Sequence, residues 1–449
     1  MNLSKAMNTF ILKKASIAPL AFFRIAFGLV MCVSMIRFLL KGWLETLYIQ
    51  PKFFFPYFGF EWVKPLEEGG MYSVFILLTI TALFISIGFL YRISSIVFFI
   101  AFTYVELIDK SNYLNHYYFI SIISFLLCLV PAANAYSLDV KFKLTKSYSE
   151  VPVWCITIFK LQLSIVYFYA GIAKLTTDWL WNAMPLRIWL PAKYDLPLIG
   201  SYLDELWVAY FFSWAGMLYD LLIPFILLWK RTTYIGIILV IVFHILTSIL
   251  FPMIGMFPFI MLMAALIFLP ENFHLNSLKK FFVTNTLSED SYYKPRKLVS
   301  RLIYCLIIFH FILQVIVPLR FLLYPGKLFW TEEGYRFSWR VMLMEKAGYA
   351  TFIVKDVESG KMEEINNGEY LSMQQEKMMS TQPDMILQYA KLLEKEYINR
   401  GVKSPQVIVE SYVTLNGRSG RLFIDPSVDL TKESEGFRHK KWILSSRAK

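Results

Sequence analysis

The stretch "VWCITIFKLQLSIVYFYAGIAK", Val153–Lys174, decides the fold. Its 22 residues, at a helical rise of about 1.5 Å each, make a rod of about 33 Å, enough to cross the hydrocarbon of a bilayer. Inside it stands one lysine, Lys160, and at its end another, Lys174. The rest of the chain repeats the pattern. Of 449 residues, 57% are hydrophobic, 18% aromatic and 17% charged, and mean hydropathy is +0.50. Those values exclude an ordinary soluble globular protein and predict a polytopic α-helical membrane protein.

Runs of spanning character fall at Ile17–Leu40, Met71–Tyr91, Ser94–Ile108, Leu114–Pro131, Val153–Lys174, Leu206–Trp229, Tyr234–Leu250, Gly255–Pro270 and Leu302–Tyr324. That makes about nine spans. The third, fourth and eighth are short, so eight spans plus a re-entrant piece is the alternative. Basic residues give an independent test. Lys5, Lys13 and Lys14 precede the first span and place the N-terminus inside. Threading nine spans then puts Arg92, the Lys141–Lys143–Lys146 loop, Lys230–Arg231 and the 271–301 loop inside, and each is basic. The C-terminus then lies outside. The first run is long and followed by further spans, so it reads as a retained helix and not a signal peptide.

The net charge of +12 is spread between apolar runs instead of forming one basic stripe, and no DNA- or RNA-reading motif occurs. No nucleic-acid partner is expected; the lipid bilayer is. Cys32, Cys128, Cys155 and Cys305 all lie in apolar segments and read as packing residues, with neither a disulfide nor a zinc site outside the membrane.

Beyond Tyr324 the texture becomes polar. "YATFIVKDVESGKMEEI" and "PQVIVESYVTLNGRSGRLFIDP" alternate like strands around Ser-Gly and Asn-Gly turns. Between them, "QPDMILQYAKLLEKEYINRGV" has helical spacing at Ile386, Tyr389, Leu392 and Leu393. The expected organisation is a transmembrane helical domain over residues 1–324 and a small extracytoplasmic α+β domain over residues 325–449.

Ionisable groups inside spans carry the chemical information, since a charge there faces a cavity or a partner. Arg24, Arg37 and Lys160 have snorkelling as a sufficient explanation. Glu106 and Asp220 read as polar pairing groups within the bundle. Asn115 and His116, Lys174, and His244 fall in the outer half of the threaded bundle, where one outward-opening pocket would gather them. For Lys174, reaching the headgroups is an equal alternative; enclosure would instead favour the neutral amine of a general base. No Walker loop, HExxH, GxSxG or Cys-x-x-Cys is present, and a transporter with an intramembrane proton relay stays open.

These residues also resemble a known family, the vitamin K-dependent gamma-glutamyl carboxylases and their bacterial relatives with an HTTM membrane domain. "VYFYAGIAKLTTDW" resembles the family segment ending in Lys-Leu and Asp-Trp. "DKSNYLNH" resembles its Asn-His pair, "FHILTSILFPMIGMF" its Phe-His followed by Ile-Gly-Met-Phe, and "WTEEGYRFSW" and "RLFIDPSVDL" parts of its lumenal region. The resemblance covers most of Asp109–Leu430. It implies Lys174 as the catalytic base, with His116 and His244 also catalytic. Asn115, His116 and Lys174 would hold the quinol, and Tyr335, Ser338 and Trp339 would lie near the glutamate. It further implies reduced vitamin K (phylloquinol or menaquinol), O2 and CO2 as co-substrates with no metal. In that reaction the lysine deprotonates the hydroquinone, oxygen adds, the resulting strong base takes a glutamate γ-proton, and CO2 traps the carbanion. The partners would be the quinol and a glutamate-containing protein or peptide, in a bacterial cell membrane or an endoplasmic reticulum. Some features depart from the pattern. Ala173 stands where a lysine often precedes the catalytic one, no outer cysteines can form the animal members' disulfide, and the chain stops short of their further lumenal portion, so propeptide recognition is not expected. A quinol epoxidase that does not carboxylate peptides is the alternative.

Overall fold

The structure, a computed structural model, describes residues 13–281 and 291–446, so Lys5 lies outside the described residues. In chain order the membrane part comprises α1 (Ala18–Leu40), α2 (Glu68–Ile87), α3 (Tyr91–Ile108), α4 (Asn115–Leu129), α5 (Trp154–Ala173), α6 (Leu206–Leu228), α7 (Thr233–Leu250), α8 (Phe257–Ala265), α9 (Glu271–Phe281) and α10 (Lys297–Ile316). Among the described residues, seven helices are long and apolar enough to cross a membrane, or eight if the bent pair around Pro270 counts as one span. The chain is a polytopic helical membrane protein. Each of the nine apolar runs contains a helix, but α4 has only 15 residues.

The eighth run stops early for a covalent reason. Phe257–Phe268 and Glu271–Lys280 meet at 111°. Pro270 between them has no N–H and pushes Leu269 into an extended conformation (ψ 151°). The polar sequence of α9 then turns aside.

Lipid tails are as apolar as leucine, so these helices associate through close fit and internal polar bonds. Gly28 shows the fit: a Cβ there would stand 2.4 Å from the Ser86 backbone nitrogen, so only glycine lets α1 and α2 meet. Arg24 shows the polar bonds. It does not snorkel; it is fully buried and donates to the carbonyls of Ile85, Ser86, Ala132 and Tyr136 at 2.6–3.1 Å. Cys32 and Cys155 are packing residues as expected, whereas Cys305 is exposed on α10.

Distant segments meet at one end of the bundle. β1 (Lys14–Ser16) pairs antiparallel with β2 (Glu150–Pro152), and Lys14 lies 2.6 Å from the Glu150 carboxylate. The Asp139 carboxylate accepts from the backbone N–H groups of Leu90 and Tyr91 at 2.7 and 2.9 Å, fixing the α2–α3 turn.

At the opposite end lies a four-stranded sheet in the order β4-β3-β5-β6, formed by β3 (Lys346–Asp356), β4 (Met362–Glu364), β5 (Pro405–Leu415) and β6 (Arg421–Leu422). The two expected hairpins are present and are joined through a full-length β3–β5 pairing. Val407, Val409 and Val413 alternate inward and share a core with Phe352 and with Ile386, Tyr389 and Leu393. α11 (Met373–Met379), which sequence periodicity did not single out, precedes α12 (Pro383–Asn399) and starts with a Ser372–Gln375 capping box.

The sheet region is tied to the bundle by charge. Lys110, its side chain 1% exposed, lies 2.8 Å from Asp384 and 3.1 Å from Glu435, and Arg336 lies 2.6 Å from Asp384. Burial alone would raise the Asp384 carboxyl; Arg336 and Lys110 outweigh it and hold that group well below the usual carboxylate range.

Candidate functional site

Lys174 follows the last residue of α5, and its backbone N–H bonds to Gly171. It does not reach outward. Nζ lies 2.5 Å from Asp220 Oδ2 and 3.3 Å from the Ala170 carbonyl, and the two side chains are 8% and 6% exposed. Asp220 is the only charged residue of α6. The pair forms because α5 and α6 approach closely. A Cβ on Gly171 would stand 2.8 Å from the Leu221 backbone nitrogen.

A lid closes over the pair. Residues 174–205 fold into short helical turns, the first capped by Thr176. Trp179, Ala183, Leu186, Leu190 and Leu203 pack with Ala173 and Met217 into a separate apolar cluster that also takes Leu343. The Trp179 ring lies 5.3 Å from Nζ, and its indole N–H donates to the Ser213 carbonyl at 2.7 Å. Enclosure is thus observed, together with a carboxylate partner.

Seven residues before Lys174, on the same face of α5, the Tyr167 hydroxyl lies 3.0 Å from His244 Nε2. His244 is fully buried, and its Nδ1 has no hydrogen-bond partner among the described residues. The Phe257 ring is 5.6 Å from His244 on one side and 6.0 Å from His116 on the other.

Beyond Phe257 a cavity of about 360 Å³ opens where α1, α4, the 253–257 loop and the sheet region converge; its lining includes Arg37, Asn115, His116, Phe257, Tyr335 and Arg340. That volume is in the range of small-ligand sites. The Asn115 amide donates to the Arg340 carbonyl at 3.0 Å and accepts from the Tyr113 hydroxyl at 3.1 Å. The Tyr335 hydroxyl donates to the same Arg340 carbonyl at 3.3 Å. The Arg340 guanidinium lies 4.4 Å from the centre of the Phe321 ring, and burial pushes it down to about 10.

The sequence-selected residues therefore fall into two groups separated by Phe257. Asn115, His116 and Tyr335 line the cavity, whereas Lys174 and His244 sit behind it among α5, α6 and α7. Ser338 and Trp339 line neither. The Ser338 hydroxyl donates to the Tyr335 carbonyl; Trp339 is 1% exposed and stacks on Tyr118 at 4.9 Å. Sequence reading missed Arg340, directly after the Ser-Trp pair, and Phe257, the last residue of the quoted "IGMF". It also treated Asp220 as a generic pairing group without naming Lys174 as its partner. No group of three or more His, Cys, Asp or Glu side chains able to hold a metal occurs among the described residues.

The model of the HTTM domain family matches residues 12–273, and that of the vitamin K-dependent gamma-carboxylase lumenal domain matches residues 299–449. No solved structure matches the chain.

Proposed function

Because the chain belongs to the vitamin K-dependent gamma-carboxylase family, with an HTTM domain followed by the lumenal domain, we propose that it is a quinol-dependent glutamyl carboxylase. The observation that carries this reading is the enclosed Lys174–Asp220 pair, an amine kept from the headgroups and bonded to a single carboxylate. The residues fit a quinol. A cavity walled in part by the aromatic rings of Phe38, Trp43, Tyr117 and Phe257 carries the hydrogen-bonding groups of Asn115, His116 and Tyr335, and His244 Nδ1 is an orphaned polar atom. Asn115 and His116 would hold the ring, and Lys174 would act as base. Oxidation of a bound hydroquinone by O2 supplies the base strength that removing a glutamate γ-proton requires, and CO2 is the carboxyl donor.

The protein's part is proton management. For Lys174 to accept a proton its own must leave, and Asp220 Oδ2 is within hydrogen-bond reach to hold it. Moving the proton from Nζ to Oδ2 leaves a neutral pair, which a dry site tolerates better than separated charges. Tyr167 and His244 fix the groups between the pair and the cavity. Arg340 and Tyr335 offer a cation and a hydroxyl on the side where a glutamyl carboxylate would arrive.

The same reading includes a topology. The chain divides at Tyr324 into a membrane domain crossing nine times and an extracytoplasmic α+β domain, with the N-terminus inside, in a bacterial cell membrane or the endoplasmic reticulum. The β1–β2 pairing supports it, because residues 14–16 and 150–152 must then lie on one side.

The test is to supply the purified protein with vitamin K hydroquinone, labelled bicarbonate and a glutamate-containing peptide. Carboxylation predicts epoxide and incorporated label together, both lost by at least a hundredfold in Lys174→Ala. Epoxide without label would favour the epoxidase alternative, and neither product would sink both.

A further inference from the structure

A second cavity, of about 400 Å³, is cut into the membrane face of the bundle between α1, α7 and α8. Its lining is wholly aliphatic and includes Leu29, Val30, Ile237, Val240, Ile241 and Met263. It opens toward lipid, since Leu29 is 56% and Ile241 40% exposed. Nothing in the reaction proposed above uses it.

Its place relative to the polar cavity is fixed by helical spacing. On α1, Ala26, Leu29 and Val30 line the groove, while Ser34, Arg37 and Phe38 line the polar cavity. Steps of three and four put these residues on one stripe, about 12 Å from Ala26 to Ser34 at 1.5 Å per residue. On α7, Ile237, Val240 and Ile241 line the groove, and His244, with its orphaned Nδ1, follows three and four residues later on the same face. On α8, Phe257 lines the polar cavity and touches both histidine rings, and Leu262 and Met263, with Leu266 just beyond the helix, line the groove. α1 and α8 thus pass from aliphatic groove to polar cavity in one direction along the bundle axis, and α7 passes in that direction from the groove to His244 behind Phe257.

We propose that this groove seats the isoprenoid tail of the quinol, with the ring placed at the Phe257 end of the polar cavity, beside His116. The inference rests on the quinol reading above. It commits to one occupant because the two sites together match one amphiphile. A polar-walled pocket at the outer end receives a hydrogen-bonding ring, and a continuous aliphatic trough leading toward the bilayer centre receives a hydrocarbon chain. The groove's opening to lipid also lets a membrane-dissolved quinol slide in sideways, without passing through water.

The experiment uses the full chain in phosphatidylcholine nanodiscs and a menaquinone analogue carrying a photoreactive diazirine in its tail. Irradiation is expected to label peptides from α1, α7 and α8. Excess menaquinone should suppress that labelling at least tenfold, while tail-less menadione and added phospholipid should not. Labelling elsewhere, or equal suppression by phospholipid, would overturn the proposal, the latter showing an ordinary annular lipid site. In a second arm, Ile241→Trp fills the exposed rim, with Leu83→Trp on the lipid face of α2 as a control. Ile241→Trp should raise the KM for menaquinol tenfold or more and leave that for tail-less menadiol within twofold; equal effects on both quinols would count against the groove. If wild-type protein turns over neither quinol, the carboxylase reading fails, and the labelling arm still decides the groove.

Discussion

Lys174 and Asp220 form a buried amine–carboxylate pair, and their energetics separate them from a surface ion pair. Removing one partner of a buried pair leaves a bare charge and costs about 3–5 kcal/mol, whereas replacing both with apolar groups is often near neutral. Asp220→Leu is therefore expected to lower thermal stability sharply in detergent. Lys174→Met with Asp220→Leu should recover most of that loss while staying inactive. A double variant that recovers turnover would show that the pair is structural. The amine itself was legible in the sequence, as a lysine closing an apolar run that ends in Asp-Trp. Its partner was not, because the pairing of residues 46 apart depends on how α5 crosses α6, and both helices are apolar nearly all round. Ser338 and Trp339 show the opposite limit. Their motif pointed to the substrate, yet Trp339 is a core side chain stacked on Tyr118 and Ser338 bonds to a backbone carbonyl.

At the scale of elements, the crossing of α5 and α6 sets the distance between amine and carboxylate. Gly171 stands at that crossing, one turn before Lys174, where a side chain would meet both the backbone and the Cγ of Leu221 at 2.7–2.8 Å. Backbone does not give way as a flexible side chain does, so Gly171→Val must push the helices apart. Overpacking of this kind typically costs about 1–3 kcal/mol. The effect on chemistry is expected to be larger than that on folding, because a displacement of about 1 Å in a catalytic group costs on the order of a hundredfold. Turnover should thus fall by about that factor while the protein still purifies as a folded monodisperse species; wild-type turnover in Gly171→Val would show that the crossing distance is irrelevant. Helix existence was legible from apolar runs alone, but helix extent was not. α4 falls short of the run that announced it because Leu114 and Val130 are extended at its two ends. The bend at Pro270 follows from one residue inside a run that hydropathy treats as uniform.

For the molecule as a whole, the proposed topology turns on the short α4. Its 15 residues make about 22 Å of helix, less than the roughly 30 Å of hydrocarbon, so length alone argues against a crossing. Suppose α4 turned back. The segment 130–152 would then remain on the outer side with residues 109–112, and β2 would be separated by the bilayer from an inside β1. The observed pairing of Lys14–Ser16 with Glu150–Pro152 forbids that arrangement for an inside N-terminus. In the proposed topology, locally thinned bilayer and the extended residues after Leu129 would cover the missing length. Basic loops point the same way, since Lys141, Lys143 and Lys146 belong inside. The prediction uses a variant with all four cysteines replaced and single cysteines introduced at Lys141 or Glu358, both exposed. A membrane-impermeant maleimide added to intact cells should label the Glu358→Cys variant at once, and the Lys141→Cys variant only after the membrane is opened. Labelling of Lys141→Cys from outside would show that α4 does not cross. In that topology the remaining spans would bring the sheet domain to the inner side, across the bilayer from Lys110 at the end of α3, whose amine lies 2.8 Å from Asp384.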